Sequence, residues 1–125
     1  MGLGSVPAAD DAAVADDELQ VVGIADGILA VIDAFRGDKP PCFGIYHLAA
    51  SGSASWCEFA RVIFDIAGPR LPKAPKVNAI TTADYPTPAP RPADSRLDTS
   101  LFEETFGYRS PAWRVSLAET LARLT

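Results

Sequence analysis

The sequence predicts an α/β domain: a βαβ unit with two short parallel strands, and about four helices in all. Three observations predict it. Val21, Ile24, Ile28, Ile32 and Phe35 recur at helical spacing, and a second such run follows Trp56. Two short β-prone runs, Gly44 to Ala49 and Lys76 to Thr81, flank that second run, and Pro and Gly separate the pieces. At 125 residues the chain has room for one domain, and with 48% hydrophobic and 22% charged residues it belongs to the folded class.

Each element has its own justification. Residues 1–20 read as a disordered or atypical acidic arm, because Asp10, Asp11, Asp16, Asp17 and Glu18 account for the whole net charge of −5. Residues 21–125 are then a neutral domain. Its first helix is expected to end at Gly37 in a left-handed cap, with Pro40-Pro41 blocking continuation. Gly44 to Ala49 is apolar and β-prone, so it is expected as a strand. Ser55 and Glu58 stand in the Ser-x-x-Glu relation of a capping box, which starts the second helix at Trp56. Phe59, Ala60, Ile63, Phe64 and Ala67 form its apolar face, and Gly68-Pro69 ends it. Lys76 to Thr81 reads as the second strand of the βαβ unit. Pro86, Pro88, Pro90 and Pro92 alternate, which permits only extended loop. Asp98, Thr99 or Ser100 caps a short third helix ending at Gly107. The last helix is expected to begin with Ser110 as cap and Pro111 in its first turn, burying Trp113, Leu117, Leu121 and Leu124.

Composition excludes several function classes. A neutral domain behind an acidic arm lacks the basic footprint of a nucleic-acid binder. No apolar run approaches the roughly 20 residues of a membrane span. Cys42 and Cys57 alone make neither a disulfide framework nor a zinc site, so no metal is expected and a reduced, cytoplasmic setting is the default. The run Gly2-Leu3-Gly4-Ser5-Val6-Pro7 has Pro where a dinucleotide fingerprint needs its third Gly. No Tyr is followed four residues later by Lys, because Tyr46, Tyr85 and Tyr108 precede Ala50, Ala89 and Ala112. His47 has no catalytic company, so no catalytic residue is assigned.

Several motifs do carry a likeness. Gly44-Ile45-Tyr46-His47-Leu48-Ala49, then Gly52 and Ser55-Trp56 with Glu58-Phe59-Ala60, is one. Ile80-Thr81-Thr82-Ala83-Asp84-Tyr85-Pro86 is another, followed by Arg91-Pro92-Ala93-Asp94-Ser95-Arg96-Leu97-Asp98, Phe106-Gly107 and Trp113-Arg114. Taken together, in order and over roughly residues 24–124, this resembles the C-terminal part of dTDP-4-dehydrorhamnose reductase, an extended short-chain dehydrogenase. The resemblance implies a small substrate-binding subdomain without the N-terminal Rossmann domain. In the family, that domain binds NADPH and carries the catalytic Tyr and Lys. The family reduces dTDP-4-dehydro-6-deoxy-L-mannose to dTDP-L-rhamnose for cell-surface polysaccharide. No cofactor is expected on this chain itself.

The same resemblance places Arg91 near the diphosphate of the sugar nucleotide, where a guanidinium grips phosphate with two parallel hydrogen bonds. Ser95 adds one donor, and Tyr85 and Trp56 offer faces for a base or sugar. The plainer alternatives are that Arg91 pairs with Asp94 or Asp84 or faces solvent, and that Trp56 is a core anchor. Where the family often writes Arg-Pro-x-Asn-Ser, this chain has Asp94, a carboxylate that opposes a phosphate. Expected partners are therefore a weakly held dTDP-sugar and a separate Rossmann domain or a second copy, with neither nucleic acid nor membrane. The alternative function is a non-catalytic interaction or regulatory module, or a gene fragment without activity of its own.

Overall fold

The computed structural model describes residues 5–9, 13–14, 21–73 and 75–124. Among them are β1 (Ser5–Ala9), β2 (Ala13–Val14), α1 (Val21–Arg36), β3 (Ala54–Ser55), α2 (Trp56–Ala67), β4 (Lys76–Ile80), α3 (Ser100–Phe106) and α4 (Trp113–Leu124). Short 3-10 turns follow α2 at Gly68–Arg70 and β4 at Thr82–Asp84.

The α/β class, the two short parallel strands and the four helices are all present. The identity of the first strand is corrected. β4 pairs in parallel with β1, in the register Ser5 to Lys76 through Ala9 to Ile80, and Gly44 to Ala49 forms no strand. Strand propensity alone makes no strand without a partner, and the second member of the two-stranded sheet that β4 forms is β1. Pro7 faces Asn78 in this ladder and has no amide to donate, which suits a strand with one open side. β2 and β3 make a second, antiparallel pair. Of the arm expected over residues 1–20, only β1 and β2 are described, and the rest lies outside the described residues.

α2 is the central element, packing on β1, β4, β3 and α4. Its start carries the Ser55 half of the expected box: the Ser55 hydroxyl accepts from the Glu58 amide at 3.1 Å, and the Glu58 carboxylate pairs with Arg114. Phe59 from α2 and Trp113 and Leu117 from α4 form the core with Ala54, their rings meeting edge-on at 5.7 Å. Val62, Ile63, Ile66 and Leu121 close around them. A bridge outside the sheets holds the two helices in place: the Ser51 amide donates to the Pro111 carbonyl at 3.0 Å, and the Trp113 amide donates to the Ser51 carbonyl at 3.1 Å. Gly52 turns the chain there at φ 93, and a Cβ on it would lie 3.1 Å from Trp113 Cδ1. That position therefore demands glycine twice over.

α1 packs on α3, and the face it uses differs from the expected stripe. Gly23 and Gly27 are buried, while Ile28, Leu29 and Ile32 stand exposed. The glycines let neighbours come close: a Cβ on Gly27 would lie 2.6 Å from Leu48, and the Tyr108 hydroxyl donates to the Gly23 carbonyl at 2.8 Å. Burial pushes the Tyr108 phenol above its ordinary range, Asp26 adds to the rise, and the Ser110 hydroxyl opposes it. Two caps are also corrected. Gly37 is not left-handed, and the left-handed cap falls at Gly107, φ 64, ending α3. α4 begins at Trp113 rather than near Ser110, because Pro111 and Ala112 are engaged in the Ser51 bridge, and Leu124 at its end is exposed.

Leu117 is 1% exposed at the centre of this core. Leu117→Ala is expected to lower stability by about 2–5 kcal/mol, because the cavity cannot collapse between α2 and α4. A denaturant titration of both proteins checks it.

Candidate functional site

The loop from Thr81 to Thr99 carries three of the four candidate residues and connects β4 to α3. Its ends are fixed by short polar motifs. At the entry, Asp84 accepts from the Thr81 amide at 2.9 Å and the Thr81 hydroxyl at 2.8 Å, which holds the Asp84 carboxyl below its usual range. At the exit, Asp98 accepts from the hydroxyl of Ser100 and from its amide, at 2.9 Å for the amide. These two bonds, with His47 nearby as a lesser contributor, keep Asp98 ionised to lower pH than usual. The cap expected from Asp98, Thr99 or Ser100 is thus shared: Asp98 supplies the carboxylate and Thr99 the capping position.

Between these ends sits a forked ion pair. Arg96 Nε donates to both Asp94 oxygens, at 2.9 and 3.0 Å, and its Nη2 to Oδ2 at 2.6 Å. The Arg96 amide adds a bond to Oδ1 at 3.0 Å. Hydrogen bonds from the Arg96 side chain and then its backbone lower the Asp94 pKa to about 2, and the same bonds raise that of Arg96. Ser95 lies between the two partners, so the pair folds the backbone around it. The carboxylate expected to oppose phosphate therefore has its charge matched within its own turn.

Arg91 is exposed in the same loop, and among the described residues it has no ion pair. The pairing with Asp94 or Asp84 is not what forms, since Arg96 and Thr81 hold those carboxylates. Tyr85 follows the 3-10 turn, its amide donating to the Thr82 carbonyl at 3.3 Å, and the residue is 62% exposed. Trp56 opens α2 on a different element. It is partly exposed, with its ring 6.3 Å from that of Phe59, so it sits at the rim of the core. The loop residues Tyr85, Arg91 and Ser95 thus share one exposed segment, and no ring or polar contact joins Trp56 to Tyr85 or Arg91.

A second charged cluster escaped the sequence reading. Arg114 lies over the Trp113 ring, 4.5 Å from its centroid, and pairs with Glu58. The adjacency Trp113-Arg114 was the only sequence signal of it. Nearby, the Ser51 hydroxyl donates to the Ser110 carbonyl at 2.6 Å and accepts from Arg109 Nε at 3.4 Å. Among the described residues no group of His, Cys, Asp or Glu is arranged to hold a metal ion, and no helix is long and apolar enough to cross a membrane.

Residues 13–125 match the family described as the RmlD substrate binding domain. The chain is 41% identical over 114 residues to the dTDP-4-dehydrorhamnose reductase of Sinorhizobium fredii, covering 91% of this chain and 35% of that enzyme. A dTDP-4-dehydrorhamnose reductase crystal structure from Clostridium acetobutylicum superposes with a TM-score of 0.80 at 30% identity, over 96% of this chain and 39% of that one. A reductase of the same name from Bacillus anthracis, solved in complex with NADP, shares the fold with a TM-score of 0.79 at 22% identity, over 95% and 38%. The chain thus spans little more than a third of the length of these relatives.

The forked pair yields a pH prediction. The folded pKa of Asp94 lies below its ordinary 3.8, so the order it gives the loop is complete above that value and is lost as pH falls through about 2. Carboxyl NMR titration is expected to find the Asp94 midpoint near 2, and Arg96→Ala is expected to return it toward 3.8.

Proposed function

Because the chain belongs to the family of RmlD substrate-binding domains, we propose that it is the sugar-nucleotide-binding portion of a dTDP-4-dehydrorhamnose reductase. In the intact reaction, hydride from NADPH reduces dTDP-4-dehydro-6-deoxy-L-mannose to dTDP-L-rhamnose. The role of this portion is to hold the dTDP-sugar. One observation carries the reading: in the loop between β4 and α3, Arg91 keeps an exposed guanidinium while Asp84 and Asp94 are each engaged elsewhere. A fork with no carboxylate of its own is suited to an oxygen-rich dianion. Ser95 supplies a neighbouring hydroxyl, Tyr85 an exposed ring for stacking, and Trp56 a further apolar edge.

Among the described residues no glycine turn offers NADPH a phosphate cradle. Gly52 and Gly107 are the glycines at positive φ among the described residues. The space over Gly52 is filled by Trp113, and Gly107 closes the C-terminal end of α3, where carbonyls rather than amides point outward. Among the described residues no acid or base is assigned to a reducible carbon either, and on this reading the chain works only with a cofactor-binding part.

Magnitudes bound the affinity. A charge-assisted hydrogen bond contributes about 1.5–3 kcal/mol, whereas micromolar binding requires about 8 kcal/mol. Titration calorimetry of the chain with dTDP is expected to give a Kd of about 1 mM or weaker. Chemical-shift changes at residues 85–96 are expected to vanish in Arg91→Ala. Mixed with NADPH and the keto-sugar, the chain alone is expected to leave nicotinamide absorbance unchanged. Tight dTDP binding that survives Arg91→Ala, or steady NADPH oxidation, overturns the reading.

A further inference from the structure

We propose that Arg96 forms a second anion cradle on the Thr81–Thr99 loop, that Asp94 fills it as an internal stand-in for phosphate, and that Asp94 thereby sets how tightly the loop holds a dianion. That the incoming dianion is the diphosphate of a sugar nucleotide rests on the reading above. The cradle itself rests on the structure.

Three donors of one residue converge on the Asp94 carboxylate. The Arg96 amide reaches Oδ1 at 3.0 Å, Nε reaches both oxygens, and Nη2 reaches Oδ2 at 2.6 Å. A main-chain amide beside a guanidinium edge suits phosphate oxygens equally well, because carboxylate and phosphate present the same pair of acceptors to the same fork. Asp94 therefore takes the place that a phosphate would fill. This occupant is replaceable. The Asp94 side chain is 49% and that of Arg96 58% exposed, and an ion pair so open to water is screened and weakly held.

The turn does not need this charge. Asp84 and Asp98 fasten the two ends of the loop on amides and hydroxyls two or three positions away, and neither has an ion pair among the described residues. Asp94→Asn keeps an oxygen for the Arg96 amide, and this bond to a backbone two residues on is one that Asn makes as readily as Asp. What the charge adds is possession of the guanidinium. The loop thus carries two cations fit for phosphate, Arg91 and Arg96, and among the described residues only the second is in an ion pair. A dianion arriving there either binds through Arg91 without Arg96, or takes Arg96 and leaves the displaced carboxylate beside it. Both routes lower its affinity.

Variants of the full chain test this, with pyrophosphate and dTDP as probes and thymidine as the uncharged control. Asp94→Asn is expected to bind both phosphate probes at least about tenfold more tightly than the unaltered chain, the effect of about one charge-assisted hydrogen bond gained. Thymidine binding is expected to stay the same, and the Arg96 Nε–H resonance to move during the phosphate titrations. Asp94→Ser, which also keeps an uncharged acceptor for the Arg96 amide, is expected to behave alike, so a folding defect in one variant leaves the other to decide. Combining Asp94→Asn with Arg96→Ala is expected to abolish the gain. A gain that survives in this double variant overturns the proposal, because relief of repulsion then accounts for it without Arg96. Absence of any gain in both uncharged variants overturns it as well. Pyrophosphate has neither base nor sugar, so a gain with it, beside dTDP shift changes indifferent to Arg91→Ala, keeps the cradle and sinks the nucleotide reading. Arg91-dependent dTDP binding without a gain in either uncharged variant sinks the cradle alone.

Discussion

Trp113 sits where three constraints meet. Its ring packs on Phe59, its amide is tied to the Ser51 carbonyl, and Gly52 leaves the space its indole needs. Removing any one of these loosens the other two, because the bridge sets where α4 starts and the ring sets how close α2 approaches. Arg114 on the outer side shields the same indole while binding Glu58 at the head of α2. The start of α2 and the start of α4 are thereby locked together, and β4, which packs on α2, leads from there into the Thr81–Thr99 loop. The candidate loop thus follows a strand that packs on the same helix as this core contact.

Local chemistry was legible in the sequence wherever it was self-sufficient. Ser55 caps α2, Gly107 ends α3, and α1 and β4 lie where periodicity and β-propensity place them, because each depends on residues within a few positions. What failed depended on distant partners. Gly44 to Ala49 has the composition of a strand, but a strand exists only with a partner, and the partner of β4 is β1, whose sequence Ser-Val-Pro-Ala-Ala announces little. The first turn predicted for the last helix gave way to the Ser51 bridge, a contact across about sixty positions of chain. The apolar stripe of α1 was read from large side chains, whereas the contact is made by Gly23 and Gly27, which let the chain come close by having nothing to offer.

For the site, the residue types were legible and their couplings were not. Arg91, Arg96, Asp84 and Asp94 are all visible in the sequence within one loop, yet which cation meets which carboxylate is decided by turn geometry. Two residues apart, Arg96 wraps back on Asp94, while Arg91, three residues before Asp94, forms no ion pair among the described residues. This division commits Arg96 to the architecture of the loop and leaves Arg91 outside its ion pair. It also changes the meaning of Asp94, which reads in sequence as a repulsive charge and acts in the structure as half of a closed pair.

Pro86, Pro88, Pro90 and Pro92 have one further consequence. Each ring locks its own φ and narrows the choices of the residue before it, so the stretch leading to Arg91 has few shapes to abandon. A ligand arriving there freezes little besides the guanidinium's own rotamers, and the entropic toll that ordinarily erodes binding by surface loops is small. Under the function proposed above, weak contacts on such a stiff arm would discriminate by position, because the arm would bend little toward a phosphate presented in the wrong place.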